Sequence, residues 1–575
     1  MKLAKIILRL LIIVISYQLS VVSLSAQQTD DLEFSLDVNS ETIPLPKVLK
    51  PAIDLSGCGL HRDGTYPQSL AAKEVRDAWQ KDIGFGNLYR MQYSLWEISQ
   101  FSQDKDSKEK LLSNYDSILK TITDAGGIVI LDIFGTPAGL ARALDKKIPP
   151  DNLKAFKAIV KDTIRDLSCK KKYNIWYEVW NAPDLDSFFL GRKQEYLNLY
   201  RVVAEAIMEL RAETKMHIPV GGPSVSWWFQ DFNGNTILTP ERALIYDLIK
   251  FCYRYRLPLD FISWHGYSTD PEAEQGNTKY KKSAINLIRD WLSYFNFARD
   301  TALIIDEWNY DRDANILSGR SKQSYIAASY IPARLLNMHE AGVDYHSYFA
   351  LQDFENAKEG VIRNIGIFSY KNEPKAIYNV FKMLNSLDSE LFSQKLDDKF
   401  AGVIATRSES RITLLVYNYI DPDAVINYLS KDIVVLSKAE RKILLAIIKS
   451  DKLDKIISGE INISTLRLTN RLRSILLKAK ELGSRANKFK EESGARKIKI
   501  ELKNLKGEYL YERYSLDSSC SLDCPYVAAE QKEVSADKGY VETLNLKPYS
   551  VNLIVLKLKS QEQEKPAEQN ANKKE

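Results

Sequence analysis

Residues 127–134 read GIVILDIF, an apolar run broken by one aspartate near its end. Such a run is typical of a strand buried on both faces, as in a parallel sheet. Amphipathic stretches with helical periodicity alternate with these runs, at 152–167, 192–213, 239–254 and 322–341. The alternation predicts an α/β fold. Further runs of the same kind lie at 174–180, 218–221, 261–265, 302–308 and 345–351.

Two α/β architectures fit this alternation: a (β/α)8 TIM barrel and a doubly wound open sheet. No glycine-rich phosphate loop follows the early strands, whereas charged or polar residues end several of them. The rim formed by the C-terminal ends of the strands is where barrel enzymes carry their catalytic groups. We therefore predict a barrel over residues 45–387.

The pattern changes after about residue 385 to short strands separated by turns. This pattern of short strands and turns predicts an all-β sandwich over residues 388–559. Residues 27–44 contain a candidate further strand of this sandwich, near 34–38. The strands are predicted at 401–406, 411–419, 497–502, 508–516, 540–546 and 550–558.

A helical insertion interrupts the sandwich at 437–492. Ser437 and Glu440 have the spacing of a capping box, and apolar residues then share one helical face over 468–479. The insertion carries 14 Lys and Arg against 7 Asp and Glu. A solvated basic helical hairpin is one interpretation, and a contact for an anionic glycan or surface is the other. The polar tail 560–575 is expected to be disordered.

Residues 1–26 have the layout of a secretory signal peptide. Basic residues precede an apolar run that ends in Ser25-Ala26. The chain is therefore expected to be secreted or periplasmic, and an uncleaved N-terminal anchor is the alternative.

Charge and cysteine content exclude several classes of protein. The formal net charge is +5, of which the predicted signal peptide carries +3. The remaining charge of +2 is too small to indicate a nucleic-acid-binding protein. Five cysteines leave at least one thiol unpaired, although Cys520 and Cys524 can close a small loop in an oxidising compartment. The histidines lie far from these two cysteines in sequence, so we predict no structural metal.

Two predicted strands deliver polar groups at their C-terminal ends: residues 176–184, WYEVWNAPD, and residues 303–310, LIIDEWNY. Hydrolysis of a glycosidic bond needs two carboxyl groups across the bond. The separation of 125 residues between positions 182 and 307 suits strands four and seven of a barrel.

With these motifs the chain resembles glycoside hydrolase family 39, the β-xylosidase and α-L-iduronidase relatives. The family carries Trp-Asn-Glu-Pro-Asp at the end of strand four, where this chain has Trp180-Asn181-Ala182-Pro183-Asp184. Glu307-Trp308 matches the nucleophile motif on strand seven. Further agreement lies at 135–137, 221–223, 260–267, 348–355, 374–387, 511–517 and 546–556. The insertion at 437–492 has no counterpart that we identify.

The resemblance implies a retaining glycosidase that needs no cofactor. Glu307 matches the nucleophile, and Asn181 matches the residue that binds the 2-hydroxyl of the sugar. His265 and Tyr267 match positions around the nucleophile. Arg90 matches an arginine that keeps the nucleophile ionised, and a purely structural arginine is the alternative. Further residues expected to line the pocket are Trp308, Tyr348 and Asp353.

Ala182 stands where the family has its general acid/base glutamate. A methyl group cannot donate a proton to a leaving oxygen. Glu178 lies four residues earlier, about 13 Å deeper along the strand, and the family counterpart of Asp184 does not serve as the acid. A rescuing carboxylate from another loop is left open.

Two functions follow from this combination. The first is a retaining glycosidase acting on oligo- or polysaccharides, with activity impaired by the missing acid/base. The second is a carbohydrate-binding pseudoenzyme, although a pure binding protein has no need of Glu307 beside Asn181.

Overall fold

The computed structural model describes residues 31–559 apart from 57–71, 101–103, 229–231, 233–239, 276–279, 281, 311–323, 357–360, 434–435 and 491–494. The predicted signal peptide, the C-terminal tail and Cys58 lie outside the described residues.

Eight parallel strands close into a barrel in chain order, with the last strand pairing back onto the first. The predicted TIM barrel is confirmed, and the open sheet is excluded. Two strands precede it, β1 (Leu32–Asp37) and β2 (Thr42–Pro44). The barrel strands are β3 (Ile53–Asp54), β4 (Leu88–Ser94), β5 (Ile128–Phe134), β6 (Ile175–Val179), β7 (Val220–Val225), β8 (Phe261–His265), β9 (Ala302–Trp308) and β10 (Tyr345–Phe349).

Helices pack around the barrel and bury one apolar face each against the strands. Several begin at side-chain caps; Asp104 and Asn152, for example, accept hydrogen bonds from Ser107 N and Ala155 N. The helices are α1 (Lys73–Asp82), α2 (Leu95–Gln100), α3 (Lys105–Asp124), α4 (Leu153–Ile164), α5 (Lys193–Thr214), α6 (Leu244–Tyr255), α7 (Ala284–Tyr294), α8 (Ser324–Ala341) and α9 (Ala376–Asn385).

The interior of the barrel is built in layers because alternate side chains of each strand point inward. The lower layer is apolar and includes Leu88, Ile130, Phe261 and Ile304. Two residues further along the same strands, the next layer is polar and buried. The polar layer consists of Asp54, Arg90, Asp132, Glu178, Ser263 and Asp306.

The C-terminal unit is a β-sandwich of a seven-stranded and a three-stranded sheet. The N-terminal strands belong to it, since β1 pairs in parallel with residues 498–503 and β2 pairs with residues 390–392. The sequence analysis missed β2, β13 (Glu390–Phe392) and β18 (Glu530–Ala536), which are short or largely exposed. The remaining strands are β11 (Phe354–Asn356) and β12 (Val361–Arg363), which form a hairpin, and β13 (Glu390–Phe392), β14 (Ala401–Ser408), β15 (Arg411–Asn418), β16 (Arg496–Lys503), β17 (Gly507–Leu516), β18 (Glu530–Ala536), β19 (Gly539–Leu546) and β20 (Ser550–Leu558).

The helical insertion begins earlier than predicted, at Ala424 rather than at 437. Its helices enclose a small apolar core of their own, centred on Leu444, Ile456 and Leu476. The capping box of Ser437 and Glu440 is confirmed, with both of its hydrogen bonds present. The helices are α10 (Ala424–Asp432), α11 (Lys438–Lys449), α12 (Lys452–Ser458) and α13 (Asn470–Lys490).

Cys520 and Cys524 form a disulfide, with their Cα atoms 5.5 Å apart, while Cys169 and Cys252 are free thiols. Across the described residues, no helix has the length and apolar character that crossing a membrane requires.

The loop that follows β8 is held by a buried ion pair. The Glu274 carboxylate accepts hydrogen bonds from both terminal nitrogens of Arg334, which lies on α8. The Arg334 guanidinium also donates to the carbonyl of Pro271. Both side chains of the pair are essentially inaccessible to water. The pair therefore fixes residues 271–274 relative to α8.

We predict that Glu274→Ala lowers the free energy of unfolding by about 3–5 kcal/mol, because it leaves the Arg334 charge buried without its partner. The matched control is Glu205→Ala, which removes an exposed carboxylate 3.1 Å from Lys157 and should cost less than about 1 kcal/mol. Urea denaturation measures both. Equal losses for the two variants would contradict the assigned role.

Candidate active site

Irregularities in two strands turn consecutive side chains into the barrel. Trp264 on β8 pairs with Ile305 on β9, and the next residue of β8, His265, pairs with Glu307. Asp306 is therefore an extra, bulged residue of β9. As a result, Asp306 and Glu307 both face the interior. A similar step on β7 makes Ser224 an extra residue between Pro223 and Val225.

Arg90 is the centre of the polar layer. Its guanidinium lies 2.7 Å from Asp54, 2.8 Å from Glu178 and 3.3 Å from Glu307. Asp132 and Asp306 lie slightly further away, at 3.9 and 3.7 Å. One buried cation thus faces five carboxyl groups.

This imbalance favours protonated carboxyls. Burial raises the pKa of Asp54, and it raises those of Asp132 and Asp306 well above the ordinary aspartate value. Burial alone would lower the pKa of Arg90, but the surrounding carboxylates, led by Glu178, raise it. Arg90 therefore stays charged while part of the acidic shell keeps its protons.

Glu307 is the member of this cluster that opens towards the rim, with 14% of its side chain exposed. The Tyr267 hydroxyl donates to Oε1 at 2.5 Å. Arg90 Nη1 donates to Oε2, and His265 Nε2 lies 3.5 Å from the same oxygen. Burial raises the pKa of Glu307, and the contacts with Arg90 and Tyr267 oppose that rise.

Asn181 is held beside Glu307 through its amide oxygen. This oxygen accepts hydrogen bonds from Arg90 at 2.9 Å and from Ser224 at 3.2 Å, and His265 Nε2 lies 3.2 Å away. Its amide hydrogens have no acceptor among the residues that the structure describes. They are thus available to a ligand hydroxyl.

Ala182 is fully buried and has a left-handed backbone, with φ of 41°. Its N–H donates to the carbonyl of Ser224 at 2.9 Å. Trp180, two residues earlier, is also left-handed. Such conformations cost roughly 1–2 kcal/mol per non-glycine residue, so tertiary contacts impose this turn.

Neither acidic neighbour of Ala182 replaces a glutamate at this position. Glu178 uses one oxygen for Arg90 and the other for Ser263 Oγ, at 2.6 Å. Asp184 receives the backbone N–H and the hydroxyl of Ser226, at 3.0 and 2.5 Å. Both carboxylates are buried and fully engaged.

Three residues predicted to line the pocket lie elsewhere, which corrects that part of the prediction. Trp308 is buried on the outer side of the barrel and donates to His346 at 3.0 Å. Tyr348 packs against Trp308, with ring centres 5.0 Å apart. Asp353 is buried in an ion pair with Lys375, at 2.7 Å. None of the three offers a surface to a ligand.

Sequence reasoning missed Asp54, Ser224 and Asp306 as members of the site. Asp54 ends a strand of only two residues, and a bulge turns Ser224 inward. For Asp54 and Asp306 the signal that could have found them is a polar residue two positions after an inward apolar one, whereas alternation gives no such signal for the bulged Ser224. No cluster of His, Cys, Asp or Glu arranged for a metal ion occurs within the described part of the chain.

The sequence matches one family model and is similar to two β-xylosidases. The model of the family "Glycosyl hydrolases family 39" matches residues 148–460, which includes the start of the insertion. A β-xylosidase of Caldicellulosiruptor saccharolyticus is 25% identical over 386 residues, covering 61% of this chain and 73% of that protein. A β-xylosidase of Geobacillus stearothermophilus is 26% identical over 259 residues, covering 42% and 47% respectively.

The fold is shared with a solved monomeric β-xylosidase from Caulobacter crescentus CB15. The TM-score is 0.61 at 14% identity, over 92% of this chain and 99% of that one.

We predict that Asp306→Asn flattens the pH dependence of stability. A buried acid whose folded pKa is raised stabilises the fold below its unfolded pKa, and that stability is lost as pH rises through the folded value. Between pH 5 and 7.5 the variant should therefore lose less free energy of unfolding than the parent does. Asp124→Asn, an exposed aspartate, is the control. Identical slopes for the parent and Asp306→Asn would refute the assignment.

Proposed function

Since this chain belongs to glycosyl hydrolase family 39, we propose that it is a retaining glycosidase with Glu307 as nucleophile and with slow cleavage of unactivated linkages. The observation that carries the proposal is the setting of Glu307. Its oxygens are held by Tyr267 and Arg90, and the amide group of Asn181 is fixed beside it by Arg90. A fixed carboxylate next to a hydroxyl-binding amide is what glycosyl transfer to the protein requires.

The first step forms an ester between a Glu307 oxygen and the anomeric carbon, while the bond to the leaving oxygen breaks. Because position 182 carries a methyl group, the leaving oxygen departs without a proton from the protein. Water then attacks the anomeric carbon without a general base, and Glu307 is released as a carboxylate. Both steps thus lack the proton transfer that typically contributes about 10²–10⁴-fold.

β-Xylosides are the first substrates to test, because both curated relatives above are named as β-xylosidases. We also propose that the chain is exported, on the strength of the N-terminal segment 1–26 and the disulfide between Cys520 and Cys524. The rival function is a binding pseudoenzyme, which the complete burial of Ala182 favours.

The missing acid predicts a steep dependence on the leaving group. The parent should hydrolyse dinitrophenyl β-xyloside far faster than xylobiose. Ala182→Glu should raise kcat/KM for xylobiose by about 10²–10⁴-fold and should change that for the activated glycoside little.

Ala182→Gln is the matched control, because its side chain must displace the same neighbours and cannot supply a proton. If the Glu variant folds and is no better than the Gln variant on xylobiose, the pocket has lost more than its acid. The binding function would then replace the glycosidase.

The pH profile gives a second prediction. The kcat/KM for dinitrophenyl β-xyloside should rise with pH as Glu307 ionises, with a midpoint above the ordinary glutamate value of 4.5, because burial raises the pKa of Glu307. No descending limb should follow up to pH 9, since position 182 does not titrate. Ala182→Glu should add that limb on xylobiose. A bell-shaped profile for the parent would reveal another general acid.

A further inference from the structure

A crevice of about 370 Å³ lies where the barrel, the sandwich and the insertion meet. The loop after β8 contributes Asp270 and Glu272, and the sandwich contributes Lys399 and Asp421. Helices α10 and α13 of the insertion close the other side. Volumes of this size are typical of sites for small ligands.

Four of the charged side chains that line the crevice are paired with one another. Glu272 lies 2.6 Å from Lys399 and 3.5 Å from Lys431, and Lys431 lies 2.6 Å from Asp270. A charged ligand would have to compete with these pairs. Each pair instead presents a donor next to an acceptor, which matches the adjacent hydroxyls of a sugar, since a hydroxyl both donates and accepts.

A partly buried amide–carboxyl pair in the lining also places a donor beside an acceptor. Asn427 donates to Asp421 at 2.8 Å, and Asp421 is 5% exposed. Burial raises the pKa of Asp421 to about 7, so this carboxyl can also donate near neutral pH.

An aromatic wall completes the lining. Tyr428 is half-buried on α10, and the ammonium of Lys478 lies 5.5 Å from its ring centre. Leu482 adds apolar surface beside it. A tyrosine ring offers a flat face to the C–H groups of a sugar ring and a hydroxyl to its edge.

The crevice shares a loop with the candidate active site. Tyr267, which donates to Glu307, lies three residues before Asp270. Between them the carbonyl of Thr269 accepts the hydroxyl of Tyr419 at 2.6 Å, and this bond joins the loop to the sandwich. Both features therefore lie at the C-terminal rim of the barrel.

We propose that this crevice is a second saccharide site, which binds a neutral oligosaccharide segment of the same class as the substrate. The proposal rests on the proposed function for the choice of sugar and on the crevice lining for the existence of the site. An uncharged polyol fits it because the lining carries four acidic and four basic side chains, so neither sign of charge predominates.

The test is hydrogen exchange of the full chain with xylotetraose, cellotetraose or arabinotetraose at millimolar concentration. At least one sugar should protect α10 and α13. Tyr428→Ala removes the aromatic wall, and Glu481→Trp places a bulky side chain at the exposed mouth without disturbing the packing. Each variant should raise the sugar concentration needed for half-maximal protection at least about tenfold.

The controls lie on the same helices outside the crevice. Ile426→Ala and Leu477→Trp change side chains that are 45% and 52% exposed, and both should leave the protection unchanged. Absence of protection with all three sugars, or protection that persists in both crevice variants, would overturn the proposal. Hydrolysis of dinitrophenyl β-xyloside, measured in parallel, reports on the proposed function. If a sugar protects α10 and α13 and the protein does not hydrolyse this glycoside, the second-site proposal stands and the glycosidase proposal fails.

Discussion

The guanidinium of Arg90 holds the functional end of the barrel together. It lies at the centre of five carboxyl groups contributed by strands β3, β5, β6 and β9. It also binds Asn181 and Ser224, and it is linked to Tyr267 through Glu307. Removing that charge would leave the buried acidic cluster without its cation, and breaking a buried ion pair in this way typically costs about 3–5 kcal/mol.

Burying the charged groups of the polar layer costs folding free energy, which contacts in the surrounding structure have to offset. The apolar layer below seals the barrel, and the sandwich and the insertion brace the loop that follows β8. Tyr419 reaches from the sandwich to Thr269, and Lys431 reaches from the insertion to Asp270. These contacts hold the loop that carries Tyr267, and so help to keep the Tyr267 hydroxyl on Glu307.

Much of this arrangement could be predicted from the sequence. Strand-like runs with polar ends predicted the barrel, and Glu307, Arg90, Asn181, His265 and Tyr267 do lie within one cluster. Strict alternation along a strand, however, cannot show a bulge. The bulge on β9 turns Asp306 and Glu307 the same way and leaves Trp308 on the outer side, so Trp308 does not line the pocket as the motif match implied. The burial of Ala182 depends on tertiary contacts that no local pattern encodes.

The central claim is that Glu307 is a competent nucleophile although position 182 carries no acid. Trapping with 2-deoxy-2-fluoro-β-xylosyl, glucosyl and arabinosyl fluorides tests it most directly, because a fluoride leaving group needs little protonation. Mass spectrometry of the digested protein should find a covalent sugar on Glu307 with at least one reagent, and none in Glu307→Gln. An unmodified protein with all three reagents, or a sugar attached to another residue, would contradict the account.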